Sequence, residues 1–196
     1  GPLSATDALV NSRNVPAVEL QRRLCGHGLH ELLSRAHIAK LQPAAHYGLS
    51  IVLGGVEVTM EELVALYAML ATGGEHRGLR RSLDAPRRGG ERLLSREASF
   101  LVVDMLRHNP RPGQRFDSDW VRDQDAVAWK TGTSFGYRDA WAVGVFGSYA
   151  LAVWVGNFDG RGNPVFIGRS AAGELFFDLV DALRARVDSA PLLPPS

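Results

Sequence analysis

The segment from Lys130 to Ser134 combines a cation, three hydroxyl groups and a glycine in consecutive positions. A lysine ammonium beside threonine hydroxyls can hold a carboxylate, because charge-assisted hydrogen bonds are shorter and stronger than neutral ones. Gly132 has no side chain, so a substrate backbone could lie directly against this segment. The backbone N–H of Thr133 could donate to an oxyanion that develops during acyl transfer. The segment therefore indicates a site that holds an anionic acyl compound.

A second polar motif, Ser12-Arg13-Asn14, lies far upstream of this segment. A lysine followed by threonine and glycine occurs by chance in many proteins. Ser12 and Asn14 could likewise be turn and cap residues before a helix. Both motifs in one chain, in this order, are much more specific than either motif alone. Together they predict one site built from Ser12, Asn14 and the segment from Lys130 to Ser134.

The S-x-N motif followed by K-T-G resembles the pattern of the penicillin-recognising serine acyltransferases. The flanking residues, at 7–18, 138–145 and 153–157, resemble those of class A penicillin-binding proteins of the 1C type. The resemblance extends from residue 1 to about residue 187. It implies an α+β fold of the β-lactamase and transpeptidase kind, with an antiparallel sheet, covering helices and a helical region around a cleft.

The resemblance implies serine acyl transfer on a peptide that ends in D-alanyl-D-alanine, with β-lactams as mimics of that donor. The product is a cross-link between peptidoglycan stem peptides. In this scheme Ser12 relays a proton to the leaving nitrogen. Asn14 hydrogen-bonds a donor side-chain amide and steadies the lysine of an S-x-x-K motif. Lys130 orients Ser12 and adds positive potential for the terminal carboxylate.

The resemblance also implies that the segment from Lys130 to Ser134 binds the substrate. Its threonine hydroxyls bind the terminal carboxylate, the serine that follows assists, and the N–H of Thr133 forms half of the oxyanion hole. The predicted substrate-binding residues are Thr131, Gly132, Thr133 and Ser134.

The serine of the S-x-x-K motif, which attacks the donor carbonyl, is missing from this sequence. The two lysines are Lys40 and Lys130, and the residues three positions before them are His37 and Val127. The resemblance places S-x-x-K before Ser12, so we expect an upstream segment of the same protein to supply it. This chain is then the C-terminal part of a transpeptidase domain, with an incomplete fold and an exposed strand edge.

Two other functions remain open from the sequence. A β-lactamase or D,D-carboxypeptidase of the same superfamily would share both motifs. A non-catalytic module could instead bind the cell wall or a partner protein through the polar segment 75–92, for which a solvated hairpin is the simpler interpretation. The arginines of that segment are Arg77, Arg80, Arg81, Arg87, Arg88 and Arg92.

Composition narrows the choice of ligands and location. The net charge of +1 gives no basic field for nucleic acid. The histidines lack metal-ligand spacing, and no cofactor-binding fingerprint is present. We therefore expect no metal, no cofactor and no nucleic acid. No apolar run is long enough to span a membrane. The resemblance implies an extracytoplasmic, periplasmic location, with the membrane anchor elsewhere in the parent protein.

The spacing of apolar residues and chain breakers predicts helices, then an antiparallel sheet with one covering helix. Ser12 to Asn14 is expected in a loop, and the apolar run 49–55 leads to a turn. The predicted domain is 1–188, with 189–196 as a proline-rich linker or tail. The predicted helices are 4–10, 17–24, 29–39, 60–72, 96–107 and 170–187, and the strands are 127–134, 140–147 and 150–157. The last helix should cover the sheet with Leu175, Phe176, Leu179, Val180 and Leu183.

Overall fold

The computed structural model describes residues 2–24, 28–86, 89–114 and 127–185. Helices dominate the first half of the chain, and a three-stranded antiparallel sheet lies in the second half. The helices are α1 (Ala5–Val10), α2 (Asn14–Arg23), α3 (Leu29–Arg35), α4 (Ala44–Tyr47), a 3₁₀ helix (Gly48–Leu53), α5 (Met60–Ala71), α6 (Arg96–Arg107), a π-helical turn (Gly168–Ala172) and α7 (Gly173–Arg184). The strands are β1 (Glu75–His76), β2 (Glu91–Arg92), β3 (Ala128–Thr133), β4 (Asp139–Phe146) and β5 (Tyr149–Gly156). The α+β prediction is confirmed.

The sheet has the order β3-β4-β5, with consecutive strands antiparallel. β4 and β5 are joined by the predicted turn at Gly147 and Ser148, where Gly147 has φ of 49°, a value that glycine adopts at no steric cost. β3 pairs with β4 so that Lys130 lies opposite Val143. The strand that contains the predicted substrate-binding residues is therefore an edge strand among the described strands, and it pairs along one side with β4.

The two faces of the sheet pack against different helices, because successive side chains of a strand point to opposite faces. On one face Trp129 of β3 packs with Phe176 and Phe177 of α7. On the other face Ala128 packs with residues of α6. The buried residues of the α6 side are Val103, Leu106, Ala128 and Val145. The sheet thus lies between α7 and α6, and β3 is fixed from both sides.

Helix α5 connects the sheet to the helical region. Thr59 starts it with a capping box, in which the Thr59 hydroxyl accepts from the Glu62 N–H and the Glu62 carboxylate accepts from the Thr59 N–H. Leu66 packs against an apolar cluster of the helical region, whereas Tyr67 and Leu70 pack against the cluster of α6 and β3. The cluster of the helical region consists of Leu33, Ala36, Ile38, Tyr47 and Ile51.

Two expected elements are shorter or different in the structure. The helix expected over 29–39 ends at Arg35, because His37 has a left-handed backbone with φ of 57°. The N–H groups of His37 and Ile38 then bond to the carbonyls of Ser34 and Leu33, which is the helix-ending pattern that usually contains glycine. The apolar run 49–55 forms most of the 3₁₀ helix rather than a simple run into a turn.

The buried face of α7 differs in part from the face that the sequence predicts. The chain enters it through the π-helical turn, and Phe177 is buried instead of Leu175 and Leu179, which are 45% and 39% exposed. Phe176 and Val180 are buried as expected. Residues 173, 176, 177 and 180 follow regular helical spacing and share the face toward the sheet, where Phe177 packs on Trp129. The expected linker 189–196 and the end of this helix beyond residue 185 lie outside the described residues.

Replacement of Phe176 by alanine tests the packing of α7 on the sheet. Phe176 is fully buried, with its ring centroid 5.9 Å from that of Trp129 and 5.4 Å from that of Phe177. We expect Phe176→Ala to lower the free energy of unfolding by about 3–5 kcal/mol, measured by urea denaturation. Phe135→Ala is the matched control, since Phe135 is 94% exposed and should change stability little. Equal losses in the two variants would contradict this packing.

Candidate active site

The two sequence motifs meet in the structure. The Nζ of Lys130 donates a hydrogen bond to the Oγ of Ser12 and a second one, of 2.9 Å, to the carbonyl of Thr131. Ser12 belongs to the turn between α1 and α2, and Lys130 belongs to the edge strand β3. The fold therefore brings a serine hydroxyl and a lysine ammonium from distant parts of the chain into direct contact.

Ser12 is presented by the way in which α1 ends. The N–H of Ser12 bonds to the carbonyl of Leu9 at 3.1 Å, and the N–H of Arg13 bonds to that of Ala8 at 2.9 Å. This pattern closes a helix with a left-handed residue that is usually glycine, and here the residue is Ser12, with φ of 52°. A left-handed backbone in a non-glycine residue is a strained conformation that often marks a functional position. The turn leaves the Ser12 side chain exposed.

Lys130 is partly buried, and two effects favour its neutral form. Burial is the larger effect, and the nearby charge of Arg169 adds to it, so that the pKa of Lys130 falls to about 8. A lysine with this pKa can donate or accept a proton near neutral pH, which an ordinary surface lysine does rarely.

Asn14 lies close to Ser12 in the chain but does not sit in a loop as expected. It is the first residue of α2, whose N-cap is Arg13. Its side chain is exposed and forms no hydrogen bond with Ser12 or Lys130. The predicted role of Asn14 therefore needs a group outside the described residues.

The four predicted substrate-binding residues follow Lys130 along β3 and into the next turn. Gly132 and Thr133 are exposed. The Thr133 hydroxyl accepts a 2.9 Å hydrogen bond from the N–H of Gly168, which leaves its own proton available for a ligand. Ser134 closes the β3–β4 hairpin, since its Oγ accepts from the N–H of Asp139 at 2.8 Å. Thr131 contributes its carbonyl to Lys130.

Asn109 and Arg169 support β3 and were missed by sequence reasoning. Asn109 is buried, and its Nδ2 donates a 3.1 Å hydrogen bond to the backbone carbonyl of Trp129. The backbone carbonyl of Asn109 accepts a 2.8 Å hydrogen bond from Trp129 Nε1. Arg169 donates to Asn109 Oδ1 at 3.1 Å and to the carbonyl of Pro110 at 2.7 Å. Its guanidinium carbon lies 5.5 Å from the Trp129 ring centroid. These contacts fix the residue next to Lys130 and place a positive charge near its ammonium.

The arginine-rich segment forms the expected hairpin, with Glu75 opposite Arg92 and His76 opposite Glu91. Arg77 pairs with Glu75 at 3.0 Å, and Arg81 pairs with Glu61. These pairs neutralise part of the positive charge that an anionic polymer would need. Arg87 and Arg88 lie outside the described residues.

The described part of the chain contains neither a metal-binding cluster nor a membrane-spanning helix. No cluster of three or more histidine, cysteine, aspartate or glutamate side chains there could hold a metal ion. None of the helices in the described ranges has the length and hydropathy of a membrane span.

The chain is similar to known penicillin-binding proteins over most of its length. No protein-family model matches it. It is 33% identical over 193 residues to penicillin-binding protein 1C of Escherichia coli strain K12, covering 97% of this chain and 24% of that protein. It is 27% identical over 174 residues to penicillin-binding protein 1B of Buchnera aphidicola subsp. Baizongia pistaciae, covering 80% of this chain and 22% of that protein. The chain thus spans about a quarter of the length of these curated relatives.

A crystal structure of penicillin-binding protein 1A from Haemophilus influenzae has the same fold. Its TM-score with this chain is 0.73 at 20% identity, and the match covers 100% of this chain and 36% of that one. The β-lactamase and transpeptidase-like architecture expected from the sequence is therefore confirmed.

The low pKa of Lys130 can be measured by NMR on protein labelled with ¹³C at lysine Cε. The chain has two lysines, so Lys130→Met identifies the signal of Lys130. We expect a titration midpoint near pH 8. Arg169→Met should raise this pKa, because loss of a neighbouring positive charge favours the protonated ammonium. Arg169→Lys retains a charge and should raise it less. A midpoint near 10.5 that Arg169→Met leaves unchanged would contradict the geometry.

Proposed function

This chain belongs to the class A penicillin-binding proteins as a transpeptidase-like region, and we propose that it forms the C-terminal part of a serine D,D-transpeptidase site. The parent protein would cross-link peptidoglycan stem peptides by acyl transfer on D-alanyl-D-alanine and would be acylated by β-lactams. The observation that carries this proposal is the hydrogen bond between Lys130 and Ser12, because it joins the two motifs in one site.

In the proposed reaction the attacking serine belongs to an S-x-x-K motif in an upstream segment of the same protein. Its oxygen forms a bond to the penultimate carbonyl carbon of the donor, and the bond to the terminal D-alanine nitrogen breaks. Ser12 delivers the proton that this nitrogen needs, since its hydroxyl is exposed and lies against Lys130. Lys130 orients that hydroxyl and can resupply the proton, which its pKa of about 8 makes favourable.

The substrate carboxylate would lie along the exposed end of β3. The Thr133 hydroxyl keeps its proton for the ligand because its oxygen accepts from Gly168. Thr131 and Ser134 would add hydroxyl donors, and the partly buried ammonium of Lys130 would add positive potential. Gly132 leaves room for the donor backbone, because a side chain at this position would stand on an exposed strand. Asn14 would meet the donor's amide and the lysine of the upstream motif.

The parent protein would act outside the cytoplasm, on the periplasmic side of the inner membrane, with its anchor elsewhere in the sequence. This location follows from the substrate, since peptidoglycan stem peptides are cross-linked there.

Labelling with a fluorescent penicillin tests the proposed function in the parent protein that contains this chain and its upstream segment. We expect the label on the upstream serine. Lys130→Ala should slow acylation by roughly 1,000-fold or more, because it removes a charge and the partner of Ser12. Lys40→Ala is the matched control, since it removes the other lysine from an exposed turn, and should acylate normally. Normal acylation of Lys130→Ala would overturn the role of this residue.

Asn14→Ala tests the second polar motif in the same assay. We expect acylation about 100-fold slower, because one substrate hydrogen bond is lost from the transition state. The unfolding transition should be unchanged, since the Asn14 side chain is exposed and makes no hydrogen bond to Ser12 or Lys130. A large loss of stability with a proportionate loss of labelling would show a structural role instead.

A further inference from the structure

The π-helical turn before α7 contacts the end of β3 through its first residue. The N–H of Gly168 donates a 2.9 Å hydrogen bond to the hydroxyl oxygen of Thr133. The first N–H groups of a helical turn have no acceptor within the turn, so they need a partner from elsewhere. The carbonyl of Gly168 accepts from the N–H of Gly173, which closes the turn. Thr133 therefore supplies the acceptor that the turn itself lacks.

The close approach of the turn to the sheet explains the glycine at position 168. The φ of Gly168 lies outside the left-handed region, so backbone conformation is not the reason for this glycine. A Cβ atom there would lie 2.4 Å from the carbonyl oxygen of Gly132 and 2.9 Å from that of Trp141. Both oxygens belong to the backbone of paired strands, so neither can rotate away. A side chain at position 168 would push the turn off β3.

The turn is also anchored beyond its first residue. Arg169 donates to the backbone carbonyls of Pro110 and Arg111 at 2.7 Å and 3.2 Å. Ala172, at the end of the turn, is fully buried in the cluster between the sheet and α7. These contacts lie on the α7 side of the sheet. They fix the turn, and the N–H of Gly168 with it, against β3.

The hydrogen bond from Gly168 determines how the Thr133 hydroxyl can act. A hydroxyl group has one proton to donate and two lone pairs to accept. Because a backbone N–H can only donate, the Thr133 oxygen accepts from Gly168 and its proton is directed toward another acceptor. A hydrogen bond to a carboxylate is stronger than one to a neutral carbonyl. An oriented hydroxyl donor therefore favours a free carboxylate over an ester or amide.

We propose that Gly168 is a positioning residue that makes this site select acyl donors with a free terminal carboxylate. It acts through Thr133, whose hydroxyl it holds in the donating orientation, rather than by contact with the substrate. The inference rests on the proposed function and deepens it, because it assigns the selectivity for a carboxylate to the π-helical turn together with the segment from Lys130 to Ser134.

The test measures this selectivity in the parent protein that contains this chain and its upstream segment. Acylation by benzylpenicillin and by its methyl ester, which lacks the free carboxylate, is followed by competition with a fluorescent penicillin. In Gly168→Ala the ratio of the acid rate to the ester rate should fall by roughly 10-fold or more, because a hydrogen bond to a charged group is weakened. Thr133→Val should lower the ratio similarly, whereas Thr133→Ser retains a hydroxyl and should preserve most of it.

Gly173→Ala is the matched control, since it adds the same methyl group at the end of the same turn. Its Cβ would lie 3.2 Å from the side chain of Trp129 and 3.3 Å from that of Pro112. The variant can therefore cost stability through packing, which urea denaturation measures. It leaves the hydrogen bond between Gly168 and Thr133 in place, so the ratio of acid rate to ester rate should stay at the value of the unmodified protein.

Deuterium exchange of the Gly168 amide, measured by mass spectrometry of peptides that contain it, tests the hydrogen bond itself. We expect faster exchange in Thr133→Val, because the amide loses its acceptor. Unchanged exchange in Thr133→Val, or an unchanged ratio of rates in Gly168→Ala, would overturn the inference while penicillin labelling of the unmodified parent still supports the proposed function. Absence of that labelling would overturn the proposed function and this inference with it, so the two failures are distinguishable.

Discussion

The hydrogen bond from Lys130 to Ser12 joins the helical region of this chain to its sheet at the point where the chemistry is expected. Ser12 depends on the backbone bonds that close α1, and Lys130 depends on a strand that is clamped between α6 and α7. The two elements share one apolar cluster, because Leu9 of α1 packs against the cluster that contains Ala128 of β3 and Val103 of α6. This shared packing holds the serine next to the lysine.

The support of β3 explains how an edge strand can carry a defined site. An edge strand lacks a second neighbouring strand and is more mobile than a central one. β3 is at the edge of the sheet among the described strands, and there Asn109 bonds to Trp129 while Arg169 bonds to Asn109. The exposed end of β3 stays free for a ligand, while its buried end is fixed. Burial lowers the pKa of Lys130 most, and the charge of the same arginine adds to this effect, so one side chain contributes both structural support and electrostatic tuning.

Sequence reasoning succeeded where local signals were sufficient. The capped helices α5 and α6 and the three strands of the sheet follow from caps, turns and alternating apolar residues. Residue type and order also predict that the two motifs share one site, and Lys130 contacts Ser12 in the structure. Ser12 in a left-handed turn could not be predicted, because serine there contradicts local preference. Arg169 and Asn109 carry no local pattern, since their partners come from tertiary packing. The prediction of the apolar face of α7 was wrong in part, because tertiary packing sets that face: the Phe177 ring lies 4.9 Å from the Trp129 ring between centroids, whereas Leu175 and Leu179 stay exposed.

The coupling between Ser12 and Lys130 can be measured by a double-mutant cycle with Ser12→Gly and Lys130→Met. The free energies of unfolding of the unmodified chain, both single variants and the double variant are measured in urea at pH 7 and compared. Direct contact predicts a coupling energy of at least about 0.5 kcal/mol, as hydrogen-bonded residues show. Additivity within about 0.3 kcal/mol would mean that the two residues do not interact in solution, and it would remove the basis of the site described here.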